Sequence, residues 1–139
     1  MKAQDRESGQ ASPLIIGALL LSLAFAGLGI DGARMFTARR DLQNQADAAA
    51  LAAASALDEG AYRASSGMVV KLDPDRARIV IARLLGASAL PRGTDVAVDV
   101  NAERAVVRLR RPVPTTLLRI IGVNAKEIGA SATAAPRTG

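Results

Sequence analysis

"PLIIGALLLSLAFAGLGI", Pro13 to Ile30, carries no charge and runs straight into "DGARMFTARRDLQNQADAAALAAASALD", Asp31 to Asp58, which has no proline and no glycine after Gly32. The first stretch holds eighteen residues. At about 1.5 Å of helical rise per residue it is ~27 Å long, close to the ~30 Å hydrocarbon thickness of a bilayer. The second consists mostly of strong helix formers. One helix is therefore predicted over about 13–58, a membrane segment at 13–30 continuing without a break into an extended alanine-rich stalk at 31–58. Ser12 suits an N-cap and Pro13 the first helical position, where a missing N–H costs nothing.

Two other readings compete for the apolar run. Lys2 and Arg6 precede it, and "AFAG", Ala24 to Gly27, offers the small residues of a signal-peptidase site after Ala26. Against cleavage, Asp5 and Glu7 neutralise the leading segment, and apolar and helical pattern both continue past Ala26. The third reading is a buried core helix. Within the span, Ser22, Ala26, Gly29 and Ala33 share one helix face and would let a second helix approach closely in lipid. Asp31, Arg34, Arg39 and Arg40 are charges at the membrane edge, with Asp31 and Arg34 at the i,i+3 spacing of an ion pair. By charge alone the three arginines after the span, against Lys2, Arg6 and the α-amino group before it, lean towards a cytoplasmic C-terminal domain.

The remaining composition narrows the functional classes. A chain of 139 residues is one anchor plus one small domain. It has no cysteine and no histidine, which excludes disulfides, thiolate nucleophiles, histidine acid–base chemistry and nearly every zinc or copper site. No cofactor or metal is expected. Eighteen Lys and Arg against thirteen Asp and Glu give a formal charge of +5 and a pI near 10.7, a bias towards anionic partners such as lipid headgroups, wall polymers or nucleic acid.

Along the stalk, Leu42, Ala46, Ala49 (or Ala50), Ala53 and Leu57 form an apolar stripe of helical period, with Arg39, Arg40, Gln43 and Asp47 on polar faces. A stripe of alanine buries little area per residue but allows close approach, which suits packing among other thin helices. The stretch "GQASPLIIGALLLSLAFAGLGIDGARMFTARRDLQNQADAAALAAASAL" resembles the N-terminal module of the TadE/TadG-like minor pseudopilins of tight-adherence (type IVc, Flp-type) pilus systems, in their short high-GC Gram-positive form. The resemblance rests on Asp31 after the apolar run, on Arg39-Arg40, on Leu42-Gln43-Asn44 and on Ala46-Asp47-Ala48-Ala49-Ala50; more loosely, "LLRIIGVNAKEIGASATAA" is similar to the family's closing helix and strand. It implies a cytoplasmic N-terminus, an external C-terminal domain, and partners among other pilin-like or Tad-system subunits. Pilin-type processing would cut after Gly9 and make Gln10 the first and Leu14 the fifth residue, where the family's processed pilins carry Glu. No acid stands there, so the resemblance implies an uncleaved or atypically processed minor component.

The C-terminal part reads as a small α+β domain. Residues 59–72 are a connector rich in Gly and Ser. Asp73 as N-cap, Pro74 at the first turn and Gly86 at the end bound a second helix, whose face Ala77, Val80, Ile81, Leu84 and Leu85 is expected to lie on a sheet. "TDVAVDV" and "AVVRLRR" alternate around "NAER" as a β-hairpin. Its expected register sets Val100 opposite Ala105, Val98 opposite Val107 and Val96 opposite Leu109 on the buried side, and Asp95 opposite Arg110 and Ala97 opposite Arg108 outside. Pro112 and Pro114 are expected to end the second strand, "TTLLRII" to make a short helix, and "KEIGASATA" to form a third strand at an edge. Across the hairpin Asp95 and Asp99 are surface charges rather than a catalytic pair, and no nucleophile–base arrangement appears. Arg104, Arg108, Arg110 and Arg111 make a basic surface, but no aromatic residue is interleaved with them, which argues against nucleic acid and favours anionic lipid or wall polymer.

The function expected is a non-enzymatic, single-pass component of a Tad-type pilus or secretion machine in the cell membrane. The alternatives are an exported binding module released after Ala26, and a membrane-tethered basic protein that binds anionic polymer or DNA.

Overall fold

The computed structural model describes residues 11–136. Gly9 and Gln10, the residues flanking a pilin-type cut, lie outside that range, as does most of the expected tail at 1–12. Helix α1 spans Ala11–Ala54, α2 Glu59–Ala64 and α3 Pro74–Ala87; strands β1 (Asp95–Val100), β2 (Ala105–Pro114) and β3 (Ala125–Ala134) follow, with a 3-10 turn at Leu118–Ile121 between the last two. The strands form one antiparallel sheet in the order β1-β2-β3, so the protein is α+β: one very long helix, a shorter one, and a three-stranded sheet.

Helix α1 is uninterrupted from the apolar run into the stalk, but it ends four residues before the expected Asp58. The cause is local hydrogen bonding. The Ser55 hydroxyl donates to the Ala52 carbonyl at 2.7 Å, and the amides of Ser55 and Ala56 bond to Ala52 and Ala53 carbonyls in tightened turns, satisfying acceptors that a helix end leaves open. Leu57 then pairs with Leu72 in an isolated bridge, half-buried rather than continuing the stripe. Asp58 starts a new element instead of closing the old one: its carboxylate accepts the Ala61 amide at 3.0 Å and caps α2. The connector at 59–72 thus contains a six-residue helix that its Gly and Ser content concealed.

Asp73 and Pro74 open α3 as the sequence dictates, the Asp73 carboxylate accepting the amides of Asp75 and Arg76 at 3.0 and 3.1 Å. Gly86 lies inside α3, which closes at Ser88, whose hydroxyl and amide both bond back to Leu84. Ala77, Ile81 and Leu85 are buried, Val80 and Leu84 half-buried, and Ile79 is exposed. That face meets α1 rather than the sheet, with only a slight contact to β1.

The hairpin register is the expected one at every predicted pair, from Val100 opposite Ala105 to Asp95 opposite Arg110. Asn101 makes the turn, its side-chain oxygen accepting the amides of Glu103 and Arg104 at 2.9 Å. Burial departs from the alternation on one strand. Val107 and Leu109 are fully buried while their partners Val98 and Val96 remain exposed, because α1 covers β2 and β3 but not β1. Pro112 and Pro114 do not end β2; they pair with Glu127 and Ala125 on β3. They lie past Arg110, the last residue paired with β1, so β2 has a free edge there and a missing N–H is tolerated.

The core forms where three elements meet. Leu42, Ala46, Ala49, Ala50 and Ala53 of α1 join Ala77, Ile81 and Leu85 of α3 and Ala105, Val107, Leu109 and Ala132 of the sheet. The alanine stripe is therefore used inside the chain rather than against neighbouring subunits: α1 beyond the apolar run is the central rod of the domain. Ala46, Ala49 and Ala53 are wholly inaccessible, so added volume has nowhere to go. Ala49→Leu is expected to destabilise the domain by about 1–3 kcal/mol through overpacking, and Leu109→Ala by about 2–5 kcal/mol through the cavity it leaves. Leu51→Ala, on the exposed side of the same helix, should stay within roughly 0.5 kcal/mol; denaturant titration in mild detergent measures all three.

Candidate functional site

The conspicuous site is at the end of the apolar run. Asp31 is 1 % exposed and is not a free edge charge. Its Oδ1 accepts the Thr116 amide at 2.8 Å, and its Oδ2 accepts the amides of Leu117 and Leu118 at 2.8 and 3.0 Å. These donors open the 3-10 turn between β2 and β3, where successive N–H groups have no partner within the turn. The carboxylate thus caps a turn eighty-five residues away in sequence. The expected ion pair of Asp31 with Arg34 is replaced by a relay, in which Arg34 Nη1 donates to the Thr116 hydroxyl. Sequence spacing cannot reveal this role, because it depends on β2 and β3 carrying their connection back to the helix.

The turn is closed on itself as well. The Thr115 amide donates to the Asn124 carbonyl at 3.1 Å, and the Thr115 hydroxyl to Val123. Gly122, at φ +89°, supplies the left-handed step that lets its own amide and that of Val123 return to Arg119 and Leu118. One helical turn before Asp31, Gly27 is covered by the Leu117 side chain, and a Cβ there would overlap Leu117 Cδ1. Gly27 and Asp31 are together a notch and a hydrogen-bonding latch on one face of α1. The amides of Leu118 and Thr116 hold the Asp31 carboxyl below its ordinary value of 3.8, partly opposed by burial and assisted by Leu117 and the Arg34 charge. Because the docked value is depressed, this contribution is present at neutral pH and is lost as pH falls through the docked value.

The other sequence-selected residues fall on distinct surfaces. Ser22, Ala26, Gly29 and Ala33 are all exposed, on the side of α1 roughly opposite the Gly27, Asp31, Ala38 and Leu42 face that the domain covers, at about 100° per residue. Arg39 and Arg40 are exposed. Arg39 joins Gln43, Arg108 and Arg110 around a shallow depression beside β3, where Gln43 also donates to the Ser131 carbonyl at 3.1 Å. Arg104 sits in the hairpin turn. Arg111 departs from the expected basic surface: it is half-buried on the α1 side, beside Asp41, Leu42 and Gln45, as strand alternation from Leu109 requires. Among the described residues no group of Asp and Glu is arranged to hold a metal ion.

Removal of the carboxylate tests the latch. Asp31→Ala is expected to speed amide exchange at Thr116, Leu117 and Leu118 by roughly ten- to hundredfold, the factor implied by losing hydrogen bonds to a charged acceptor, while amides of the β1–β2 ladder keep their protection. Gly27→Val should release the same three amides by steric exclusion of Leu117. Unchanged exchange in both variants would refute the latch.

Residues 9–56 match the family model described as putative Flp pilus-assembly TadE/G-like. No curated protein and no solved structure matches the chain. The match ends as α1 ends, and it contains Gly27, Asp31 and the whole alanine face on which the domain is built. Through this N-terminal module, about a third of its length, the chain is similar to the TadE/G-like proteins of Flp pilus assembly.

Proposed function

We propose that the protein is a minor pseudopilin-like, non-catalytic component of the Flp pilus machinery, anchored by a single span at about 13–30 and acting by helix packing with partner subunits. In this reading residues 1–12 are cytoplasmic, and the stalk helix at 31–58, the connector at 59–72 and the small α/β domain at 73–139 are outside the cell membrane, the orientation implied by the family resemblance. The observation that carries the anchor is the exposure of the apolar run. The most apolar eighteen-residue window of α1 has a mean hydropathy of 2.3 and is only 6 % buried by the rest of the chain, a contiguous apolar surface that water does not tolerate on a monomer. That exposure supports a span over a core helix.

The free face of α1 supports the packing role. Ser22, Ala26, Gly29 and Ala33 continue along the same side into Phe36 and Leu51, both large, apolar and exposed. Small residues permit close helix approach in lipid, and the two large ones supply apolar area beyond it. The basic depression at Arg39, Arg108 and Arg110 suits an anionic headgroup or wall polymer at the base of the domain.

Single cysteines at Ala26 or Ala33, in a chain that has none of its own, should form photocross-links to Tad-system subunits in native membranes when labelled with benzophenone maleimide. Gly29→Leu should reduce the cross-links several-fold without altering the domain. Intact mass should show a chain starting at Met1 or Lys2; a start at Gln10 would indicate pilin-type processing and entry into a fibre. A start at Gly27, or a soluble monomer free of any membrane or pilus fraction, would overturn the proposal.

A further inference from the structure

The 3-10 turn that Asp31 holds carries more apolar surface than its fold requires. Ile120 and Ile121 are 78 % and 74 % exposed, and the neighbouring Val123 is 38 % exposed. None of them covers the core. Their position along α1 gives the surface a meaning. Leu117 packs over Gly27, three residues before the last residue of the apolar run, and so about 4.5 Å inside its outer end at the helical rise. A turn held at that height cannot stand clear of a bilayer that the run crosses. The geometry points to a second membrane contact: the 117–123 turn dips into the boundary between headgroups and acyl chains, with Ile120 and Ile121 as its lipid-facing side chains.

Two features fit lipid as the occupant. An irregular segment entering a low-dielectric region must carry its backbone donors already bonded. Here the amides of Thr116, Leu117 and Leu118 are bonded to Asp31. Those of Thr115, Ile120, Gly122 and Val123 are bonded within the connection. The charges flanking the apolar pair are cationic: Arg119 is exposed within the turn and Arg34 is exposed on α1 at the same level, both able to reach lipid phosphates while their stems lie along apolar surface. The carboxylate that fastens the turn is turned inward with its oxygens filled by backbone amides, so the face offered to lipid is apolar with a basic rim.

The inference rests on α1 being a span, and labelling separates the two claims. Full-length chains carrying Ile121→Cys, Leu20→Cys or Ile79→Cys, each labelled with bimane, are reconstituted into phosphatidylcholine–phosphatidylglycerol vesicles that contain nitroxide lipids. The label at position 121 should shift to the blue and be quenched more by a nitroxide high on the acyl chain than by one at the chain end. The label at 20 should prefer the deep nitroxide, and the label at 79, on the exposed side of α3, should respond to neither. Asp31→Ala or Gly27→Val should return the label at 121 to an aqueous spectrum. An aqueous label at 121 beside a lipid-like label at 20 would overturn this inference alone. Aqueous labels at both positions would overturn it together with the span. A blue-shifted label at 121 that neither nitroxide quenches would mean that a protein surface, such as a second copy, covers the turn, and would also refute it.

Discussion

The fold depends on how closely a sheet can approach a helix. Ala46, Ala49, Ala50 and Ala53 present nothing beyond a methyl group to β2, β3 and α3, so both layers close directly onto the backbone cylinder of α1. Leu42 and, across the gap, Val107, Leu109, Ile81 and Leu85 fill what remains. A domain this small has few residues with which to bury apolar area, and using one side of the existing long helix as its centre removes the need for another core element. The same economy fixes where the domain sits, since its core cannot form away from residues 42–53.

Asp31 fixes the second point of attachment. A buried carboxylate is costly unless its lone pairs are filled, and here three backbone amides fill them. The arrangement satisfies donor and acceptor together: the turn's opening amides would otherwise be orphans near an apolar surface, and the carboxylate would otherwise be a desolvated charge. Gly27 makes the contact possible by leaving room for Leu117. The two residues are separated by one helical turn, so the notch and the latch occupy the same side of α1 as the alanine face further along.

Much of the architecture is legible in the sequence. The continuous helix, the hairpin register, the cap at Asp73 and the third strand all follow from signals confined to a few neighbouring residues, where periodicity and capping chemistry act. Legibility failed where a residue's partner is distant. Asp31 read as the end of a span because its three donors lie between β2 and β3. The alanine stripe read as a surface for neighbouring subunits because its period is the same whether a sheet or another helix covers it. Composition groups Arg111 with Arg108 and Arg110, although strand alternation separates them. Pro112 and Pro114 read as terminators because their tolerance depends on β1 stopping first. The unbroken run of helix formers predicts Asp58 at the end of one helix, whereas it caps the start of the next, beside the Leu57–Leu72 bridge.

The continuity of α1 has a mechanical consequence. From Ala33 to Ala54 the helix has neither proline nor glycine, and the domain grips it at two levels, around Gly27–Asp31 and along Leu42–Ala53. Nothing between the two grips interrupts the helix. A rotation of the helix about its axis therefore sweeps the whole domain through the same angle, and an axial pull on the domain arrives at the apolar segment undamped. The protein is built as a crank rather than a tether: contacts chosen by the apolar half of the helix dictate which side of the domain is presented at its other end.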